Sequence, residues 1–209
     1  MSHFDYRSEY SNQAGIALAN AWDKNSLQTM VLAARASATV TGGVGGTALT
    51  SLTTLYRTSS TDLAAGIYSA IQAMDEKDIP EKDEKSVFLR PAQYYLLAQN
   101  TSLFNTQVAA GNGNYADGKI FRIAGAVLVK TNQLPITNIA TGPTKYQGDF
   151  SKTAAVITTR GAIGTVKLLD LATEMGWDMR RQVTLILAKY AIGTGILRPE
   201  CAVELKTTS

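Results

Sequence analysis

The sequence predicts an α+β fold. Helical periodicity fills the first part of the chain and recurs at residues 61–74, while segments of strand composition fill residues 154–205. Helices followed by strands, without a regular strand–helix alternation, argue against a doubly wound parallel sheet. No repeat with a period of about 20 to 50 residues occurs, so a solenoid is not expected.

Residues 5–38 are rich in Ala, Leu and Gln and contain no proline. Tyr6, Tyr10, Gln13, Ala17 and Ala21 recur at steps of three and four on one face, which predicts one long helix with a break near residues 23–26. Ser2 followed by Asp5 supplies a variant capping box for its start. Gly42, Gly43, Gly45 and Gly46 among Thr, Ser and Val give residues 39–60 loop composition, with a short strand at 47–56. Ser59, Ser60, Thr61 and Asp62 then open a second, amphipathic helix carrying Leu63, Ile67, Ala70, Ile71 and Met74. It ends at Asp78, Ile79 and Pro80. The charged residues Glu81, Lys82, Asp83, Glu84 and Lys85 read as a solvated turn, followed by an apolar strand at 86–89.

Pro91 fits the first turn of a third helix reaching about residue 100, with Tyr94, Leu97 and Ala98 inward. Gly111, Asn112, Gly113, Asn114, Asp117 and Gly118 are turn signals. Two short strands around a turn at Gly125 follow, and then a mobile surface loop at 137–145. The last third holds four strands, at 154–158, 165–169, 183–187 and 202–205, separated by Gly161, Gly164, Gly176, Gly193, Gly195 and Pro199.

Composition excludes more than it identifies. A chain of 209 residues with 45% hydrophobic content can bury one ordinary core or two small ones. A net charge of +3 lacks the basic excess of a dedicated nucleic-acid binder. Cys201 alone forms no internal disulfide, and a reducing cytosol suits it. The residues after Met1 show no secretory or transit pattern, and no apolar run is long enough to span a membrane. His3, the single histidine, leaves no catalytic triad, and one Cys with one His cannot build a tetrahedral metal site. Cys201, in a predicted strand, reads as a small core residue. The glycines at 42–46 lack the Lys-Ser/Thr ending of a phosphate-binding loop and read as a flexible connection. The expectation is a protein with no catalytic residues, no cofactor and no metal.

Phe4-Asp5-Tyr6-Arg7-Ser8-Glu9-Tyr10-Ser11-Asn12-Gln13 and Ala17-Leu18-Ala19 resemble the opening of the long spine helix of T7-like phage major capsid proteins. Gly164-Thr165-Val166-Lys167-Leu168, Asp170-Leu171-Ala172, Ala188-Lys189-Tyr190-Ala191 and above all Gly195-Ile196-Leu197-Arg198-Pro199-Glu200 resemble the end of the same proteins. Val87-Phe88 before the Pro91 helix and Gly118-Lys119-Ile120 before Gly125 fit the family order. The resemblance implies the HK97-like fold, with a peripheral domain at 1–61 and 151–209 and an axial domain at 62–150. It implies a structural shell protein that self-associates into pentamers and hexamers of an icosahedral head around double-stranded DNA. Implied partners are other copies of the chain, scaffolding and portal proteins, and packaged DNA held non-specifically at the inner wall; the implied location is the virion capsid, with no membrane. Gly111, Asn112, Gly113 and Asn114 are then candidates for contacts around the symmetry axes, and Arg160 is a further interface candidate. Arg198 and Glu200 pair either across a subunit boundary or within a local turn. Family members carry an N-terminal arm and an extended hairpin loop before the spine helix, whereas this sequence opens at the helix. Two other readings stand beside this one. One is a bacterial nanocompartment shell with the same fold; the other is a nucleotide- or nucleic-acid-binding enzyme using the 42–46 loop with Arg57, Arg160 or Arg180.

Overall fold

The computed structural model describes residues 6–100, 113–114, 119–120 and 122–208. Helix α1 (Tyr6–Arg35) is continuous. The predicted break at 23–26 is absent, because Asp23, Lys24, Asn25 and Ser26 are polar but contain neither Gly nor Pro to interrupt the ladder. The predicted capping box lies outside the described residues. On the face that the periodicity picks out, Tyr10, Gln13, Ala17 and Ala21 are exposed. The covered seam runs instead through Ser11, Ala14, Leu18 and Asn25 to Thr29, and only the end of the helix, from Leu27 to Ala34, is deeply buried.

A six-stranded mixed sheet forms the centre, in the order β1 (Thr47–Ser51), β12 (Ala202–Thr207), β9 (Thr153–Thr158), β2 (Ser86–Leu89), β6 (Ala126–Lys130) and β5 (Arg122–Ile123). Alternation along its strands sorts side chains onto two faces. Val87, Leu89, Ala155, Ile157, Val203 and Leu205 pack with Leu63, Ile67 and Met74 of α3 (Ser60–Asp75) and Leu97 of α4 (Pro91–Ala98). On the opposite face Val156 packs with Phe150, Leu134 and the Leu27–Val31 turn of α1. Covered on both sides, β9 is buried along its whole length, which explains its unbroken apolar run. Ser59 caps α3 as expected, its hydroxyl accepting the Asp62 N–H at 3.3 Å.

Several expectations are corrected. The strand predicted over 47–56 stops at Ser51, and Leu55–Thr58 forms a helical turn, α2, that leads straight into the Ser59 cap. Lys85 is buried, and its ammonium is paired with Asp75, so the turn at 81–85 is anchored and not simply solvated. The predicted loop at 137–145 enters a small hairpin of β7 (Asn138–Ile139) and β8 (Gly148–Asp149) around a 3₁₀ turn that buries Tyr146. Cys201 is buried as a core side chain, but in a 3₁₀ turn before β12 and not in a strand. The expected Gly125 turn is present, with Ala124 and Gly125 both at positive φ between β5 and β6.

The glycine loop has a packing role. A Cβ at Gly46 would lie 2.3 Å from the Ala33 carbonyl oxygen, and the Gly46 N–H donates to the Ala36 carbonyl at 2.9 Å. Gly46 thus lets the chain turn tightly under the end of α1 and enter β1. Gly46→Ala is expected to destabilise the protein by about 1 to 3 kcal/mol in urea unfolding, because both sides of the clash are backbone. Gly42→Ala, by comparison, meets no neighbour within 4 Å and tests only the cost of its positive φ.

Candidate subunit interface

The largest departure from the predicted elements is a long two-stranded ribbon. The strands predicted at 165–169 and 183–187 are parts of β10 (Ile163–Asp178) and β11 (Val183–Ile196), which form a long antiparallel ribbon. Gly164, Gly176, Gly193 and Gly195 lie inside these strands and do not separate them. The register is shifted around Leu169, and Asp178 closes the tip by accepting the Arg180 N–H at 2.9 Å.

The ribbon is fastened at its base. Thr194, 3% exposed, donates its N–H to the Tyr146 hydroxyl at 3.1 Å, and its own hydroxyl lies 3.1 Å from that of Thr29 on α1. Burial pushes the Tyr146 phenol up, but the hydrogen bonds with Thr194 and the Lys145 ammonium 4.7 Å from its ring hold it below its ordinary value. Tyr190 and Ile192 continue the same face along α1, meeting Leu18 and Trp22 across a small apolar slot. Away from the base, the cover gives out. The register places Val166, Leu169, Leu187, Leu185 and Val183 on the outer face, each about half exposed or more. Met175, Trp177 and Met179 are likewise exposed at the tip, Trp177 by 63%. A two-stranded ribbon with apolar residues on both faces is marginal in water and gains from a partner surface.

The opposite end of α1 is held by an ion pair between a partly exposed Arg35 and a fully buried Glu204. Glu204 on β12, 0% exposed, takes two charge-assisted hydrogen bonds of 2.6 Å from Nε and Nη2 of Arg35. Thr153 Oγ1 donates to the same carboxylate at 2.7 Å, and Arg35 Nη1 donates to the Asp149 carbonyl at 2.6 Å. Hydrogen bonding to Glu204 raises the Arg35 pKa, burial opposes it, and the Glu204 and Asp149 charges add to the rise. The pair therefore ties the helix, β9 and β12 into one unit. Sequence periodicity gave no sign of it, since a lone Arg at a helix end and a lone Glu in a strand are both commonly solvated.

The residues singled out from sequence fall in two places. Arg198 donates from Nε to Glu200 Oε1 at 2.7 Å, within the turn that precedes β12. Arg160, 91% exposed, reaches Glu84 at 3.3 Å, and Gly161 beside it packs toward the Arg198 side chain, so Arg160, Arg198 and Glu200 share one charged surface with the 81–85 turn. Gly113 and Asn114 form β3, paired with β4 (Lys119–Ile120), away from that surface in sequence and sheet; Gly111 and Asn112 lie outside the described residues. Burial pushes the Glu200 carboxyl up, but the hydrogen bond from Arg198, its own backbone N–H and the Arg198 and Lys77 charges hold it below the ordinary 4.5. A depressed carboxylate pKa contributes stability that is present above the ordinary value and is lost as pH falls through the folded value. Unfolding free energy should therefore drop below about pH 4.5, and Glu200→Gln should flatten that acid limb by less than about 1 kcal/mol, read as the wild-type minus variant difference in urea titrations.

The glycine loop and Arg57 of the enzyme reading are otherwise occupied. The loop donates N–H groups at Gly43 and Gly46 to the Val40 and Ala36 carbonyls, against the carbonyl-rich end of α1, which repels anions. Arg57 spends its guanidinium on the carbonyls of Ser151 and Thr153 at 2.6 and 2.8 Å. Among the described residues no cluster of three His, Cys, Asp or Glu could hold a metal ion, and no helix is long and apolar enough to cross a membrane.

A central mixed sheet with a long helix on one face and a projecting ribbon is the arrangement that the comparisons match. Over residues 1–206 the chain fits the Gp10A-like major capsid protein family. The chain belongs to that family. It is 28% identical to the major capsid protein of Escherichia phage T7 over 97% of its own length and 65% of that protein's, so it spans just under two thirds of this relative. Among solved structures, the capsid of cyanophage P-SCSP1u superposes with a TM-score of 0.90 at 34% identity, covering 100% of this chain and 68% of that one. The mature capsid of bacteriophage PhiM1 gives 0.82 at 21% identity, covering 100% and 67%, a likeness of fold. This Gp10A-like chain therefore has an α+β fold of the HK97-like capsid type.

Proposed function

We propose that this chain is a structural subunit that self-associates into pentamers and hexamers of an icosahedral phage head enclosing double-stranded DNA. The observation that carries the reading is the β10–β11 ribbon, whose outer apolar face is left exposed by the described residues, in a chain of a major capsid protein family. One face of such a ribbon, about 45 Å by 10 Å, is smaller than the roughly 800 Å2 per partner of a stable interface. The contact is therefore weak singly and effective only when closed symmetry repeats it.

In this reading α1 is the spine helix. Residues 1–61 and 151–209 form the peripheral domain and 62–150 the axial domain, with β9 against β2 as the seam inside one sheet. Gly111, Asn112, Gly113 and Asn114 lie around the symmetry axes, and Arg160, Arg198 and Glu200 meet a neighbouring subunit. Scaffolding and portal proteins are the assembly partners, DNA is contacted non-specifically, and no catalytic group, cofactor or metal is required. A nanocompartment shell would use the same fold, but relatedness to phage head proteins along nearly the whole chain favours the phage reading. Sedimentation velocity with negative-stain microscopy of the same sample tests it. Rings, sheets or shells are expected; a strict monomer across the accessible concentration range would overturn self-association.

A further inference from the structure

Two exposed apolar features of this chain are complementary in shape, one concave and one convex. The concave one is the slot between α1 and β11, about 160 Å3, lined by Gly15, Leu18, Ala19, Trp22, Tyr190 and Ile192. That volume is below the range of small-molecule pockets, roughly 300 to 1,000 Å3, and suits one or two side chains. Gly15 is the informative residue. It sits well inside a 30-residue helix, where glycine costs about 1 kcal/mol relative to alanine, yet a Cβ there would meet nothing within 4 Å. Nothing in the described part of the chain requires the missing side chain, and what it leaves open is the slot.

The convex feature is the ribbon tip, where Met175, Trp177 and Met179 are exposed beside Arg180 and Arg181. Trp177 pairs with Thr184, six residues from Tyr190 along an extended strand, so the tip stands about 20 Å from the slot of its own chain. The two features can meet only between copies. Charge does not oppose this, since Arg180 and Arg181 outweigh Asp178 at the tip, whereas Arg7, Glu9, Asp23 and Lys24 on α1 sum to zero.

We propose that the ribbon tip of one copy, led by Trp177 and Met179, seats in the Gly15–Trp22 slot of a second copy. The proposal rests on the self-association reading and adds its polarity. The contact is heterologous, tip to slot, and repetition around an axis closes a ring. Large aromatic and methionine side chains entering a desolvated apolar pocket are the usual anchors of such contacts.

The test mixes two single-cysteine variants of the full chain, Ala19→Cys and Met179→Cys, under assembly conditions and mild oxidation; native Cys201 is 1% exposed and stays silent. Crosslinks between positions 19 and 179 are expected at least tenfold above those of a mixture in which exposed Val40→Cys replaces Ala19→Cys. Gly15→Leu added to the slot variant should abolish them without lowering the melting temperature. Dominant 179–179 or 19–19 crosslinks, or 19–179 yields equal to the control, would overturn the contact. Micrographs of the unmodified protein separate the two ideas, because shells without 19–179 crosslinks remove the tip-to-slot contact alone, whereas a strict monomer removes both.

Discussion

Arg35→Ala should lower the unfolding free energy by about 3 to 5 kcal/mol, the usual cost of leaving a buried charge without its partner. Glu204 is wholly buried on β12 and receives two of its hydrogen bonds from the Arg35 guanidinium. Removing Arg35 leaves Thr153 as the remaining donor to the carboxylate and also frees the Asp149 carbonyl. The guanidinium lies 5.4 Å from the Phe150 ring centre, so its loss thins the packing of the second core cluster as well. The double variant Arg35→Met, Glu204→Leu should recover most of the loss, because apolar side chains of similar volume need no compensation. Urea unfolding of the three proteins decides it. A single-variant loss under 1 kcal/mol would mean that water reaches Glu204 and that the pair is not the fastening described.

Leu185→Glu with Leu187→Glu should abolish rings or shells in electron micrographs while changing unfolding free energy by no more than about 0.5 kcal/mol per site. Both residues lie on the outer face of the ribbon, 57% and 48% exposed, so the isolated subunit has little to lose. An assembled copy would have to bury two added carboxylates against an apolar surface, which costs several kcal/mol per contact and is multiplied by every copy in a closed shell. Lys189 does not rescue the face, since its ammonium is already 2.6 Å from Glu174. Shells of normal size from this variant would show that the outer face is turned to solvent in the assembly.

Local signals were read well wherever chemistry acts over a few residues. The Ser59 cap, Pro91 at the head of α4, the Gly125 turn and the apolar seam of α3 follow from capping, ring geometry and helical spacing alone. The covered side of α1 is set at long range. Its first half is Ala-rich and weakly amphipathic, and the ribbon that selects the covered side lies some 160 residues later. The ribbon runs longer than composition predicts because glycines at 164, 176, 193 and 195, which usually end strands, here sit inside a two-stranded element, where a Cβ would find open space at 176 and 195 but would crowd Leu197 at 164. A signal for it existed in the apolar residues on both alternation classes, Leu185 and Leu187 against Ile186 and Trp177. The Arg35–Glu204 pair left no local trace, as its partners are joined only by the completed sheet.

Thr194 gives the ribbon one further property. Held at its base by Tyr146 and Thr29 and exposed among the described residues toward Met179, the ribbon is a cantilever. Sixteen extended residues reach about 50 Å, so a rotation of only about 5° at the clamp carries the free end through roughly 4 Å. Compliance of that kind concentrates positional freedom at the tip and leaves the sheet undisturbed. In the proposed shell, one sequence could then meet neighbours at the slightly different angles of five-fold and six-fold rings, with the adjustment confined to a beam and not spread through the core.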